Sequence, residues 1–63
     1  MSWFLKEINE AGNVRLCMED GRLIYGYSIG VDTKTFPEGI MTFKSGEEIY
    51  HFVDVEIADY IEV

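Results

Sequence analysis

The chain has 63 residues, 48% of them hydrophobic, with 12 acids against 5 bases for a formal charge of −7. So short a chain buries only about 60% of the surface its unfolded form exposes, which allows one domain with a thin core. A single cysteine and a single histidine exclude an intrachain disulfide and a Cys/His zinc cage, and the negative charge opposes a phosphate backbone.

The first segment reads two ways. Phe4 and Ile8 are four apart and Gly12 can stop a helix begun near Ser2. Against that, Asn9 to Asn13 is good chemistry for a hairpin loop, and Trp3, Phe4 and Ile8 favour strands. The balance tips towards a strand, with a helix as the alternative. Lys6 and Glu7 break the apolar start, so neither a signal peptide nor a membrane span is expected. With one lone cysteine, this points to a reducing, cytoplasmic setting.

From Val14 onward the period is two. Val14, Leu16 and Met18 alternate with Arg15, Cys17 and Glu19, the pattern of a half-buried strand. Asp20-Gly21 then marks a tight hairpin. The run from Arg22 to Val31 places Leu23, Tyr25, Tyr27, Ile29 and Val31 on one face, and most of this set is expected in the core. The other face holds Ile24, Gly26, Ser28 and Gly30, where missing side chains let the strand bend or another backbone approach.

Asp32 to Gly39 is a loop, Ile40 to Lys44 a short strand, and Lys44 to Glu47 a turn. Glu48 to Val55 alternates again, with Ile49, His51, Val53 and Val55 opposite Tyr50, Phe52 and Asp54. A single helical turn is expected over Glu56 to Asp59 and a last strand over Tyr60 to Val63. The expected fold is therefore all-β: one domain over residues 1–63, a small five- to six-stranded Greek-key or SH3-like barrel with one short helical turn before the last strand.

Three segments resemble the Sm/LSm-like family of small barrels: Val14 to Asp32, Gly39 to Glu48, and Phe52 to Val63. The resemblance spans Val14 to Val63, about four-fifths of the chain, and implies the barrel, with a habit of forming rings through edge strands. Two departures remove what it would imply about RNA. The RNA-binding members carry an Asn where this chain has Phe36, and an Arg-Gly pair where it has Asp54-Val55. The amide that would meet a base edge and the cation that would meet a phosphate are both missing, so no RNA-binding residue carries over.

Candidate chemistry is sparse. His51 lies between Ile49 and Val53 on its face, with the nearest acids in sequence, Glu48 and Asp54, on the other face, and reads as a structural or surface histidine. Cys17 has Arg15 and Glu19 beside it with opposed charges, and reads as a packed thiol. The pairs Glu19-Asp20 and Glu47-Glu48 lie at turns, where nothing drives their protonation apart. No catalytic, cofactor-binding or metal-binding residues are assigned, no cofactor is implied, and an enzyme is not expected.

What stands out is the surplus of aromatics on a thin core, with apolar edge strands expected at Ile40–Phe43 and Tyr60–Val63. All five bases precede residue 45, and six acids follow Lys44 with Glu47 the first of them. The leading expectation is a binding or assembly module with a protein partner, a homo-oligomer above all, and no membrane. Its candidate contact residues are Tyr50, Phe52, Asp54, Glu56, Tyr60 and Glu62. The alternatives are an acidic nucleic-acid mimic that inhibits a basic protein, and a divergent Sm-like nucleic-acid binder.

Overall fold

The computed structural model describes residues 2–63, and its elements follow from local chemistry with one reversal at the start. The N-terminal segment is a helix, α1 (Trp3–Ala11), and not the strand that residue propensity favours. Ser2 decides it. Its hydroxyl oxygen accepts the Leu5 N–H at 3.3 Å, filling one of the orphan donors of the first turn. Leu5 and Ile8, three apart on one face, are fully buried, and Phe4 and Ala11 pack beside them. Gly12, at φ 81°, ends the helix in a backbone conformation that other residues rarely adopt. No helix among the described residues is long and apolar enough to cross a membrane.

Five antiparallel strands follow: β1 (Val14–Met18), β2 (Leu23–Asp32), β3 (Ile40–Ser45), β4 (Glu48–Phe52) and β5 (Ile57–Glu62). They form one sheet in the order β4-β3-β2-β1-β5. The hairpin at Asp20-Gly21 is present, with the Gly21 N–H donating to the Met18 carbonyl at 2.9 Å and the Arg22 N–H to the Asp20 carboxylate at 3.1 Å. The helical turn before the last strand is a single 3₁₀ turn, Asp54–Glu56, two residues earlier than the sequence suggests. Glu56 anchors it by accepting the Val53 N–H at 2.9 Å, and β5 starts directly afterwards.

β2 is the pivot. Its first half pairs with β1, from Val14 opposite Gly26 to Cys17 opposite Leu23; its second half pairs with β3, from Tyr27 opposite Lys44 to Asp32 opposite Ile40. The bend falls between the two ladders, and the register slips once more between Ser28 and Gly30. At Gly26 an added Cβ would lie 2.0 Å from the Lys44 carbonyl oxygen and 2.9 Å from the Phe43 ring, so only glycine lets β3 close over the strand here.

That close approach also settles which face of β2 is inside, and it inverts the sequence expectation. Ile24 is buried, whereas Leu23, Tyr25, Tyr27 and Ile29 are exposed. The register leaves no choice: Leu16 is paired with Ile24 and Val14 with Gly26, so the small-residue face shares the side of the buried β1 residues. The inner side of a tight bend has no room for a row of tyrosines. The core is completed by Val14, Leu16, Met18, Met41, Phe43, Phe52 and Ile57, with α1 covering it through Leu5 and Ile8.

Candidate functional site

The surface features that could act on another molecule are the two sheet edges, the outer sheet face, and one shallow hollow. Among the described residues β4 pairs only with β3 and β5 only with β1, so each leaves one row of backbone groups without a strand partner there. The expected edge at Ile40–Phe43 is corrected by this order. Those residues form β3, which is paired on both sides, and Met41 and Phe43 are fully buried. The expected edge at Tyr60–Val63 does fall largely on an edge strand, β5.

The six candidate contact residues divide among three elements. Tyr50 and Phe52 lie on β4 and stack at 5.3 Å with ring planes 12° apart. Phe52 is only 3% exposed and packs on Phe43 at 6.3 Å, so it belongs to the core and not to a contact surface. Tyr50 is half-buried, and its hydroxyl donates to the Glu48 carboxylate at 3.2 Å. That bond and the adjacent negative charge raise the Tyr50 pKa above its ordinary 10.0.

Asp54 and Glu56 occupy the 3₁₀ turn. The Asp54 carboxylate accepts the Ser2 hydroxyl, tying the turn to the start of α1, while Glu56 holds the Val53 N–H. Tyr60 and Glu62 lie on β5. Tyr60 packs against Phe4 of α1 at 5.8 Å. Its pKa is raised above 10.0, first by desolvation and then by the carboxylates of Glu7, Glu62 and Asp59. Three carboxylates thus gather around Tyr60 at the β5 edge.

The hollow has a volume of about 130 Å³ and is lined by Met18, Glu19, Asp20, Arg22 and Glu56. Ligand pockets for drug-sized molecules run to about 300–1,000 Å³. Its one cation is engaged, since Arg22 Nε donates to Asp20 at 2.8 Å. The Arg22 backbone N–H and guanidinium hold the Asp20 carboxyl below its ordinary 3.8. His51 is exposed with Nδ1 at 3.2 Å from the Thr42 hydroxyl, and Cys17 is half-buried with Sγ 4.0 Å from the Met18 carbonyl. They lie on β4 and β1 with two strands between them, so the fold does not bring these two candidates together. No group of three or more His, Cys, Asp and Glu among the described residues has metal-binding geometry.

The outer face of the sheet is not singled out by the sequence, because its β2 residues Leu23, Tyr25, Tyr27 and Ile29 belong to a set expected mostly in the core. Leu23, Tyr25, Tyr27, Ile29, Ile49 and Ile61 are all between 40% and 54% exposed apart from Tyr25, at 56%. The available signal was the pair of glycines on the opposite face of β2, which identifies the crowded side.

In comparisons with known proteins, no family model, no curated protein and no solved structure matches the chain.

Proposed function

We propose that this chain is a non-catalytic binding and assembly module, a small SH3/Sm-like barrel that joins further copies of itself or a protein partner through β4 and β5. The observation that carries the reading is the pair of unpartnered edges at the two ends of one sheet. A β4 of one copy and a β5 of the next can add to each other strand by strand. Such a contact is heterologous, and it closes into a ring or continues as a filament according to the angle between copies. The element order supports the barrel: a capping helix, five antiparallel strands, and a 3₁₀ turn before the last of them. The thin core supports association, because a domain of this size gains little more than about 3–5 kcal/mol from its own packing. Tyr50 and Tyr60, both half-buried beside the edges, would anchor the contact at low cost in side-chain entropy.

Amide hydrogen exchange tests the proposal. Protection at β4 and β5 is expected to rise with protein concentration while β2 stays unchanged. Exchange at both edges that is fast and independent of concentration, with and without candidate partners, would overturn it.

A second reading rests on the carboxylates gathered around Tyr60. An acidic edge of this kind could occupy the groove of a basic protein as a nucleic-acid mimic. Binding that is lost in moderate salt supports it, and binding indifferent to salt removes it.

A further inference from the structure

The centre of the outer sheet face joins four exposed apolar residues to two cations. Register defines two neighbouring rows across the strands. In the first, Arg15 of β1 is paired with Tyr25 of β2 on one side and with Ile61 of β5 on the other. In the second, Lys44 of β3 is paired with Tyr27 of β2 and with Ile49 of β4. Tyr25 and Tyr27 are two apart on the same strand, so the rows adjoin on the outer side of the bend at Gly26. Neither row contains an acid.

That composition is unusual for this chain. With 12 carboxylates against 5 bases, cations have every opportunity to pair internally. Yet the one ion pair among the described residues is Arg22–Asp20, away from these rows, and neither Arg15 nor Lys44 is bonded to a carboxylate. Arg15 Nε is moreover buried with no hydrogen-bond partner, an arrangement that leaves a charged donor unsatisfied. On the same face Asp59 is paired with Cys17 in the next row, and its carboxylate accepts the Tyr60 backbone N–H at 2.8 Å.

We infer that this face docks a segment of another protein that presents apolar side chains together with carboxylates. The apolar residues would cover Tyr25, Tyr27, Ile49 and Ile61, and the carboxylates would meet Arg15 and Lys44, the guanidinium being suited to a two-pronged contact. A second copy laid face to face supplies the apolar surface but brings cations and no acid in its own two rows. Single-stranded nucleic acid would find two tyrosines and two cations, but it brings a charge with every nucleotide to a protein of charge −7, where two cations can offset only two of them. Arg15, Tyr25, Tyr27 and Lys44 lie on strands paired on both sides, so this inference stands or falls separately from association through the β4 and β5 edges.

The test selects a phage-displayed library of random peptides on the immobilised protein. The enriched sequence is then made as a soluble peptide and titrated against isotopically labelled protein by NMR. Enriched peptides are expected to combine Asp or Glu with aromatic and aliphatic residues. Shifts are expected at residues 15, 25, 27, 44, 49 and 61. Arg15→Gln combined with Lys44→Gln should weaken binding at least tenfold with an unchanged melting temperature. As a check independent of that variant's folding, Tyr27→Ser alone should also weaken the same peptide. The inference is overturned by enrichment of basic peptides, by no enrichment, or by shifts confined to β4 and β5. It is equally overturned if residues 15, 25, 27 and 44, which lie off the two edge strands, shift on raising protein concentration alone, or if poly-U RNA moves them more than the peptide does.

Discussion

Replacing Gly26 with alanine is the sharpest single perturbation of this fold. Gly26 does not have a positive φ, so an alanine there meets no conformational strain. By the effect on the unfolded chain alone the change would stabilise by about 0.4–1 kcal/mol. Contact decides the sign. The new Cβ would lie 2.0 Å from the Lys44 carbonyl oxygen and 2.9 Å from its carbon, where ordinary contact begins at 3.4 Å. The obstacle is backbone and cannot swing aside, so β2 and β3 must part by more than about an ångström. Overpacking costs about 1–3 kcal/mol, and a backbone clash belongs at the upper end. The net loss is about 2 kcal/mol, a large share of the roughly 3–5 kcal/mol such a core provides. Urea unfolding followed by circular dichroism reads this as a midpoint about 2 M lower, taking a small-protein slope of about 1 kcal/mol/M. Gly46→Ala is the control. Gly46 has φ 61° with nothing within 4 Å, and only the strain of about 1 kcal/mol applies. A Gly26→Ala midpoint equal to or above that of the unaltered protein would refute both the bend and the inversion of the β2 faces.

Phe43, fully buried at the centre of the core, should cost about 3–5 kcal/mol when cut to alanine, enough to leave the chain largely unfolded by circular dichroism. Ser2→Ala removes the helix cap and the bond to Asp54 together, and should cost about 1 kcal/mol or somewhat more in a thermal melt. Alkaline titration in the ultraviolet should find Tyr50 and Tyr60 ionising above the free-tyrosine value of 10.0. Because their folded pKa is raised, their contribution to stability is complete below pH 10.0 and is lost as pH rises past it. Asp20 runs the other way. Its folded pKa is lowered, so its contribution is present above 3.8 and disappears as pH falls below, a dependence that Asp20→Asn should remove from acid melts.

Much of the fold was legible because the signals were local. Val14, Leu16 and Met18 alternate cleanly and are buried as the alternation requires, and Asp20-Gly21 makes the hairpin it announces. What was illegible depended on tertiary position. In α1, Ser2 and Gly12 are correct start and stop signals, but the strand-favouring Trp3, Phe4 and Ile8 outweigh them until Leu5 and Ile8 are seen to share a buried face. On β2, hydrophobicity pointed to Tyr25 and Tyr27 as core. The space that only Gly26 can leave for the Lys44 carbonyl put Ile24 inside instead. The same inversion hid the outer face as a candidate surface. Of the six contact candidates, Phe52 was placed on a surface although β4 turns that side of the strand into the core. The acidic character after Lys44 was legible from composition, whereas its concentration around Tyr60 needed α1 to bring Glu7 alongside.

Sedimentation equilibrium across a dilution series tests the central claim most directly. Association through β4 and β5 predicts a species of several copies at high concentration that separates into monomers on dilution. A monomer at every concentration, with β4 and β5 amides exchanging as freely in concentrated as in dilute samples, would contradict self-assembly through these edges.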